Sequence, residues 1–380
     1  MAAAKKPTST TAELSWADVH AFRLARHHLT SRAPKSKLPE VVGEIGGAQA
    51  QVMSFAELQI AVRVDCNVED VRHALWTRKS LVKTWLMRGT LHLARSADLP
   101  IYTAAMSQYT LRSMSTWLKY LKISEPELMQ LFDLIGSSLD GTPMTREELI
   151  AQVGKGQSDH IKRVLRSGWG GILKPAARRG WLCFGPNRGP SVTFVRPEAW
   201  LGSWRQVDQA EALTDAARRY LRAYGPATKQ DFARWWGMRP GAGTSGWSGL
   251  NSELVDVKVE GTTAQLLKSD LKAMHSHQEQ PSVQLLPGFD PYLMGHASRD
   301  HLFDKAHRWK VSRVAGWISP VLLVDGSVVG VWTHAVNKGR LRVDITPFTP
   351  LKSRVRDDAG ARAEMIATAL GVKLDRMSAG

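Results

Sequence analysis

The sequence predicts an α+β fold in which three tandem winged helix-turn-helix units precede a β-rich, barrel-like domain. Three observations predict it. A Ser/Thr-x-x-Asp/Glu signature, typical of a helix start, recurs at residues 54–57, 145–148 and 228–231. Downstream of each copy lie two short runs of alternating hydrophobicity around a turn, the pattern of a β-hairpin. After about residue 280, strand-like runs replace the helical patterns.

Residues 1–12 are predicted to be a disordered lead, and residues 13–103 the first unit. The lead, "MAAAKKPTST", lacks the apolar segment of a secretory signal. In the first unit, Ser54 and Glu57 predict a capping box at a helix start. The stretch "VEDVRHALW" predicts the next helix, and "LVKTWLM" with "TLHLA" predicts the hairpin.

The second unit, residues 104–203, and the third, residues 204–279, repeat this order. Each starts with an amphipathic stretch that ends in Gly and Pro, "SEPELMQLFDLIGSSLDGTPM" in one and "QAEALTDAARRYLRAYGPA" in the other. The predicted capping boxes that follow are Thr145 with Glu148 and Thr228 with Asp231. The three boxes start 91 and 83 residues apart, as expected of a tandem array.

Residues 280–380 are predicted to form a small barrel or strongly curved sheet. "SVQLLPGFDPYLMGH", "GWISPVLLVDGSVVGVWTHAV" and "RLRVDITPFTPL" are strand-like runs between turn signals, and a helix is expected near "DAGARAEMIATALGV". Asp325-Gly326 marks a hairpin turn whose tip we expect to be able to reach a DNA groove.

Composition points to a polyanionic partner. The chain has 51 Lys and Arg against 35 Asp and Glu, a net charge of +16, which favours double-stranded DNA because bound cations release counterions from phosphates. A generally basic proteome is the alternative explanation. The two cysteines, Cys66 and Cys183, form no Cys-x-x-Cys pair, so we expect neither a metal site nor a cofactor. No apolar run is long enough to span a membrane, and we expect a cytoplasmic, nucleoid-associated monomer.

One stretch of the second unit concentrates positive charge. Between His160 and Arg196 there are eight Lys or Arg residues and no acid. Winged helices place a helix in a DNA groove, although some serve as protein-interaction modules, and the charge favours DNA. The candidate DNA-binding residues are Lys162, Arg163, Arg166, Arg178, Arg179 and Arg188, with Lys338 and Arg340 in the C-terminal domain.

The segment "AQAQVM" holds Gln49 and Gln51 where the sister units have the breakers "DGTPM" and "YGPA". Side chains at positions i and i+2 of an extended segment point to the same side, so we expect both amides to face one cavity. Glutamine has no titratable proton and cannot serve as a general acid or base. The alternative is that one glutamine caps a helix amide while the other is solvated.

Four blocks resemble the AlkZ family of bacterial DNA glycosylases. They are "QAQ" at 49–51, "RGTLHL" at 88–93, "GPATKQDFARWWG" at 225–237 and "LLPGFDPYLMGHASR" at 285–299. The resemblance covers roughly residues 13–375. It implies three winged helices in a C-shaped array with a β-barrel domain.

The resemblance also implies a reaction, hydrolysis of the N-glycosidic bond of an N7-alkylated guanine, including one arm of an interstrand cross-link. N7 alkylation leaves the purine cationic, so the base departs without protonation by an acid. The protein then needs only to hold a water molecule beneath C1′ and to stabilise the developing charge. A Gln carbonyl can hold the water, and the resemblance implies that both Gln49 and Gln51 take part. No lysine stands out as a Schiff-base nucleophile, so we expect a monofunctional enzyme.

Four further residues are candidate supporting groups. His92 can contact DNA or serve the core of the hairpin, and Asp65 is a second candidate to activate water. Asp290 either orients a partner or forms a turn before Pro291, and Arg299 can pair with Asp290.

Two non-catalytic functions also fit the sequence. Three winged helices and a charge of +16 also suit a DNA-binding regulator, and a resistance protein could sequester an alkylating compound directly. The family resemblance favours the enzyme, and substitution of both glutamines would distinguish it from a regulator, which would lose little. The sequence does not distinguish self-resistance from general repair.

Overall fold

The protein, described here from a computed structural model, has a mixed α+β fold. The structure describes residues 12–112, 115–166, 171–238, 244–276 and 281–380. The disordered lead predicted for residues 1–12 therefore lies outside the described residues, apart from Ala12. In the described ranges, no helix combines the length and apolar character needed to cross a membrane.

The first part of the chain contains four helices and a small antiparallel sheet. The helices are α1 Trp16–Arg26, α2 Leu38–Glu44, α3 Met53–Ala61 and α4 Val68–Trp76. The strands are β1 Ala12–Leu14, β2 Ala48–Gln49, β3 Leu81–Trp85 and β4 Leu91–Arg95. Strands β2, β4 and β3 form one sheet in that order, with the predicted β3–β4 hairpin at one edge and the short β2 at the other.

The second part repeats helices followed by a hairpin. Its helices are α5 Leu99–Arg112, α6 Ser115–Leu121, α7 Glu125–Ser138, α8 Arg146–Val153, α9 Asp159–Arg166, α10 Leu173–Arg178 and α11 Pro197–Leu201. Its strands are β5 Met144–Thr145, β6 Cys183–Arg188 and β7 Ser191–Val195. The sheet order β5-β7-β6 matches that of the first sheet, because a two-residue strand again pairs with the second strand of the hairpin.

The third part follows the same plan with one addition. Its elements are α12 Gln209–Tyr224, α13 Lys229–Trp236, α14 Thr244–Ser248, β8 Leu254–Val259, β9 Thr262–Leu267 and α15 Lys268–Ser276. A single bridge between Ala227 and Gln265 stands where the other sheets have their short strand. Strand β1 pairs in parallel with β8, so the start of the described chain belongs to this third sheet.

Two of the three predicted capping boxes are present. Thr145 accepts from the Glu148 amide at 3.2 Å, and Thr228 accepts from the Asp231 amide at 3.2 Å. The predicted box at Ser54 is wrong. Helix α3 begins at Met53 after an N-cap at Val52 that has no side-chain cap, so Ser54 already lies inside the first turn.

The C-terminal part is an open five-stranded sheet covered by a helix. Its elements are β10 Val283–Leu286, α16 Pro291–Met294, α17 Arg308–Val311, β11 Val321–Val324, β12 Ser327–Asn337, β13 Arg340–Pro347, α18 Ser353–Ala369 and β14 Lys373–Ala379. The strands pair in sequence order, and β10 and β14 are the two edges. The predicted helix is α18, and of the two predicted forms, a barrel or a strongly curved sheet, the observed sheet is open, with β10 and β14 unpaired on their outer sides.

The Asp325-Gly326 turn does join β11 to β12, with Asp325 exposed and Gly326 packed against other parts of the chain. A methyl group at Gly326 would lie 2.4 Å from the Cβ atom of His20 and 2.8 Å from the hydroxyl of Tyr292. Contact of this tip with a DNA groove stays a prediction, in which the exposed Asp325 rather than Gly326 would face the DNA. The β12–β13 turn at Lys338-Gly339 is also exposed, and both of its residues have positive φ.

Four histidines surround the buried Arg23 of α1. Arg23 Nη2 lies 2.8 Å from Nε2 of His296, and Nη1 lies 3.3 Å from Nε2 of His301. A guanidinium only donates, so these ring nitrogens accept and the rings are neutral. Burial and then the Arg23 charge lower the pKa of His20 to about 4 and the pKa values of His296 and His301 well below 6.5. Burial also lowers the pKa of His27.

This cluster predicts a loss of stability in mild acid. Each ring keeps a lower pKa in the folded state than in the unfolded chain, so stability is fully present above pH 6.5 and falls as the pH drops toward the folded values. The His20 ring alone should lower the free energy of unfolding by about 3 kcal/mol between neutral pH and pH 4, because its pKa is 6.5 in the unfolded chain and about 4 in the folded protein. Denaturant unfolding at pH 7.5, 6 and 5 should show this decline, and His20→Gln should reduce it. Equal unfolding midpoints at pH 7.5 and 5 would contradict the prediction.

Candidate active site

Gln49 lies in the short strand β2, at the edge of the first sheet. Gly46 and Gly47, with φ values of 73° and 90°, make the turn that precedes the strand. The expectation that the glutamines replace the breakers of this turn is therefore wrong, because the two glycines lie just upstream. Gln49 pairs in register with His92, and the Ala50 amide donates to a carbonyl of the same neighbouring strand at 2.7 Å.

The Gln49 side chain is buried and held by an arginine. Its Oε1 accepts from Arg88 Nη2 at 3.1 Å, and only 6% of the residue is exposed. Because a guanidinium only donates, Arg88 determines that the carbonyl oxygen faces it and that the NH2 group points away. Gln59 Nε2 also donates to the Gln49 backbone oxygen at 3.3 Å. The buried amide is thus fixed in position from both the side chain and the main chain.

Gln51 differs from Gln49 in its surroundings. It is exposed, lies two residues before α3 and forms no hydrogen bond within the described part of the chain. The alternative in which a glutamine caps the helix is not observed, since no side chain caps α3. The segment therefore presents one anchored amide and one free amide, rather than two equivalent groups in one cavity.

His92 is a neutral neighbour of Gln49. The ring is buried, and its Nδ1 lies 3.0 Å from the Thr90 carbonyl oxygen. Burial first and the Arg88 charge second lower the pKa of His92 to about 3. Of its two predicted roles, the structure supports the one in the hairpin core.

Asp290 forms a buried ion pair with a residue that sequence reasoning missed, Arg63. Arg63 Nη1 and Nη2 donate to the two carboxylate oxygens at 2.8 and 2.6 Å, and both side chains are 0% exposed. Asp290 also caps α16 by accepting from the Tyr292 amide at 2.9 Å. The predicted pairing of Arg299 with Asp290 is wrong, because Arg299 donates to the Leu293 carbonyl at 2.6 Å and to Ser312 at 3.2 Å.

The ion pair belongs to a buried chain of hydrogen bonds that ends at Gln49. Arg63 also donates to the Gln59 carbonyl at 2.8 Å, and Gln59 Nε2 donates to the backbone oxygens of both Gln49 and Gly288. Helix α3 therefore connects the candidate catalytic strand to the segment that carries "FDPYLMG". This connection fixes β2 relative to the C-terminal domain.

Asp65 lies away from both glutamines. It follows the C-terminal end of α3, whereas Gln51 precedes the N-terminal end, and nine helical residues span about 13 Å. The Asp65 side chain is 80% exposed and lies 3.2 Å from Arg32. The structure does not bring this carboxylate to the site.

Comparisons with known proteins agree on one family. A sequence model described as DNA glycosylase AlkZ-like matches residues 42–377. A protein of Streptomyces sahachiroi described as an interstrand DNA cross-link repair glycosylase is 36% identical over 365 residues, which cover 94% of this chain and 97% of the relative. The chain belongs to the AlkZ-like DNA glycosylases. The solved structure of the Streptomyces sahachiroi DNA glycosylase AlkZ is also similar, with a TM-score of 0.87 and 34% identity over 97% of this chain and 100% of that one.

The predicted DNA-binding residues of this glycosylase fall into two groups. Arg163, Arg166 and Lys338 are exposed and form no ion pair with any described residue. Lys162 and Arg340 are close to acids, at 3.6 Å from Asp159 and 3.8 Å from Asp375. All five remain candidates for phosphate contacts.

The other three arginines are either paired within the protein or partly buried. Arg188 lies 2.6 Å from Glu148, so acids outside the basic stretch partly neutralise it. Arg179 donates to the sulfur of Met129 at 3.3 Å and is half-buried. Burial lowers the pKa of Arg178. These three are weaker candidates for DNA contact than their spacing in the sequence indicates.

No carboxylate hydrogen-bonds to either glutamine of the glycosylase in the described ranges. Nor do those ranges contain a group of three or more His, Cys, Asp or Glu side chains placed to hold a metal ion. The candidate site of the enzyme thus offers amides and guanidinium groups. Such groups can position water and stabilise negative charge.

Proposed function

We propose that this glycosylase hydrolyses the N-glycosidic bond of N7-alkylguanine in duplex DNA, including bulky adducts and one arm of an interstrand cross-link. The observation that supports it is the difference between the two glutamines. Gln49 is buried and accepts from Arg88, whereas Gln51 is exposed and forms no hydrogen bond with the described residues. The Streptomyces sahachiroi relative, which is described as an interstrand DNA cross-link repair glycosylase, supports the proposal. An N7-alkylated guanine is cationic, so its bond to C1′ loosens toward an oxocarbenium ion without help from an acid.

In this proposal Gln51 holds the attacking water. Its exposed carbonyl accepts a hydrogen bond from the water and directs a lone pair of the water oxygen toward C1′. As the glycosidic bond breaks, its electron pair neutralises the purine cation, and the water oxygen bonds to C1′ and releases a proton to solvent. Positioning of this kind replaces much of the entropic cost of bringing two reactants together.

Gln49 holds the sugar or phosphate rather than the water. Its carbonyl oxygen is occupied by Arg88, and its NH2 group forms no hydrogen bond with the described residues. A donor held in place at the sheet edge suits the oxygens of the deoxyribose or of a neighbouring phosphate. The sequence left the assignment between the two glutamines open, and this hydrogen bond favours Gln51 as the residue that holds the water.

The three helix-and-hairpin parts act, in this proposal, as winged helix-turn-helix units in a C-shaped array around the duplex. The domain bounds proposed are residues 13–103, 104–203, 204–279 and 280–380. A cross-linked guanine cannot rotate freely out of the helix because the partner strand is attached to it. We propose that the β2 segment approaches the lesion along a groove, and that the enzyme acts as a cytoplasmic, nucleoid-associated monomer without a cofactor.

The direct test is excision from two defined duplexes, one with N7-methylguanine and one with an N7-linked interstrand cross-link. Incubation with excess enzyme followed by alkaline cleavage should give a strand break at the modified guanine in each. The absence of a break on both substrates would overturn the proposal. Activity on the methylated duplex alone would restrict the proposed substrates to small adducts.

Strand cleavage without alkali would contradict the monofunctional mechanism. One lysine lies near the site, since Lys174 Nζ is 3.9 Å from the position of a methyl group at Gly89. Burial, followed by Arg178, lowers the pKa of Lys174. Borohydride treatment during the reaction should trap no covalent adduct with DNA, whereas a trapped adduct that disappears in Lys174→Ala would reveal a Schiff base.

A further inference from the structure

Four arginines from three parts of the fold lie around the turn whose Arg88 donates to Gln49. They are Arg88, Arg234, Arg299 and Arg308, which we call the arginine cluster. Arg88 follows β3, Arg234 lies on α13, and the other two belong to the C-terminal domain. Of these four, the sequence predicts a role only for Arg299, as a partner of Asp290.

Contacts between neighbouring segments bring the cluster together. Arg88 Nη1 donates to the carbonyl of Trp235, the residue after Arg234, at 2.8 Å. Arg299 Nη1 donates to Ser312 Oγ at 3.2 Å, and the Ser312 amide donates to the Arg308 carbonyl at 2.8 Å.

Close packing at Gly237 holds this arrangement in place. A methyl group at Gly237, at the end of α13, would lie 2.7 Å from the Cα atom of Arg88. The turn that carries Arg88 and the helix that carries Arg234 are therefore in direct contact.

Asp231, one turn before Arg234 on α13, does not pair with the cluster in the described residues; its carboxylate accepts from the Ala297 amide at 2.8 Å, which joins α13 to the segment that carries Arg299. None of the cluster's members forms an ion pair within those residues, and Arg234 and Arg308 are exposed. Burial and repulsion by Arg234 lower the pKa of Arg299 to about 10, and burial with repulsion by Arg299 contributes to a similar value for Arg88. A buried guanidinium beside another positive charge is destabilising unless an anion pairs with it.

We propose that the arginine cluster binds one backbone phosphate of the DNA strand that carries the lesion. The inference rests on the proposed function, because it takes duplex DNA as the ligand. Planar guanidinium groups match phosphate oxygens in geometry and charge, and the cluster is continuous with the candidate active site through the Arg88–Gln49 hydrogen bond. Arg88 is then a positioning residue, because its Nη2 atom donates to Gln49 and fixes the orientation of that amide.

Binding one phosphate by groups from three parts of the chain would also join those parts around the lesion. The first and third helix-and-hairpin parts and the C-terminal domain each contribute at least one arginine. An enzyme that contacts a single phosphate in this way reads no base sequence, as expected for a repair enzyme that must act in any sequence context.

The test replaces single phosphates of the duplex with neutral methylphosphonates. Binding is measured with Gln51→Ala protein, so that the lesion stays intact, and the same scan is repeated with Arg234→Gln and Arg308→Gln added. We expect one methylphosphonate near the modified guanine to weaken binding about tenfold in the parent and less than about twofold in the arginine variant. Arg354→Gln, an exposed arginine 3.7 Å from Asp358 on α18, is the matched control and should keep the tenfold effect.

Salt dependence supplies a second measurement. If both exposed arginines serve one phosphate, each single variant and the double variant should lower the slope of log K against log salt by the same amount, about 1. Additive losses would show two separate phosphates and overturn the single site, as would unchanged methylphosphonate interference in the double variant. These are binding measurements, so failure of the wild-type protein to excise any base would overturn the proposed function without affecting them.

Discussion

Gln51→Ala is expected to lower the single-turnover excision rate of N7-methylguanine by about 100- to 1000-fold with little change in DNA affinity. The loss has the size seen when one positioned polar group of an active site is removed. Gln51 is exposed and forms no hydrogen bond with described residues, so its removal leaves no buried partner unsatisfied. Rates measured with excess enzyme isolate the chemical step from product release.

Two variants make this result specific. Gln152→Ala removes another exposed glutamine, which lies on α8 and accepts from Lys155, and this variant should excise at the wild-type rate. Gln51→Glu keeps an acceptor oxygen for water and should stay within about tenfold of wild type, because an exposed carboxylate is ionised at neutral pH without a burial cost. Wild-type excision by Gln51→Ala would show that this residue does not hold the water.

Gln49 calls for a different variant series because its carbonyl is already engaged. Gln49→Ala leaves Arg88 without this acceptor, whereas Gln49→Glu offers Arg88 a charged one. If Gln49 acts through the orientation of its NH2 group, both variants lose activity, since neither retains the donor. Recovery of activity in Gln49→Glu would indicate that holding Arg88 is its main role.

Local signals in the sequence predicted most of the elements near the site. The hairpins follow from alternating hydrophobicity around Gly turns, and the caps at Thr145 and Thr228 from short-range spacing, because these features depend on neighbours in the chain. Ser54 carries the same signature and is not a cap. Its predicted partner Glu57 is buried and lies 2.7 Å from Arg72 of α4, a contact that spacing within one helix does not reveal.

The partners that hold the site together are separated widely in the chain. Arg63 and Asp290 are 227 positions apart, and Arg88 lies 39 positions from Gln49. No local periodicity marks such pairs. A signal was nevertheless present for Arg63, since an arginine in the apolar stretch "QIAVRV" requires a buried partner. The family resemblance identified the glutamines, whereas their unequal surroundings required the structure.

Breaking the buried ion pair is the second large effect expected. Asp290→Ala should destabilise the protein by about 3–5 kcal/mol, because it leaves the Arg63 guanidinium in a site with no solvent exposure. The same substitution removes the cap of α16 and so adds to the loss. The substitution should weaken the contact between the end of α3 and the C-terminal domain in particular.

A double substitution separates the charge effect from simple loss of packing. Arg63→Met with Asp290→Leu removes both charges and keeps apolar volume, so it should be more stable than either single variant in denaturant unfolding. Arg63 also donates to Gln59, which holds the Gln49 main chain, so the double variant should fold and still excise slowly. A double variant as unstable as Asp290→Ala alone would show that the ion pair itself, rather than an uncompensated charge, determines stability. Wild-type excision by the folded double variant would show that this network does not position Gln49.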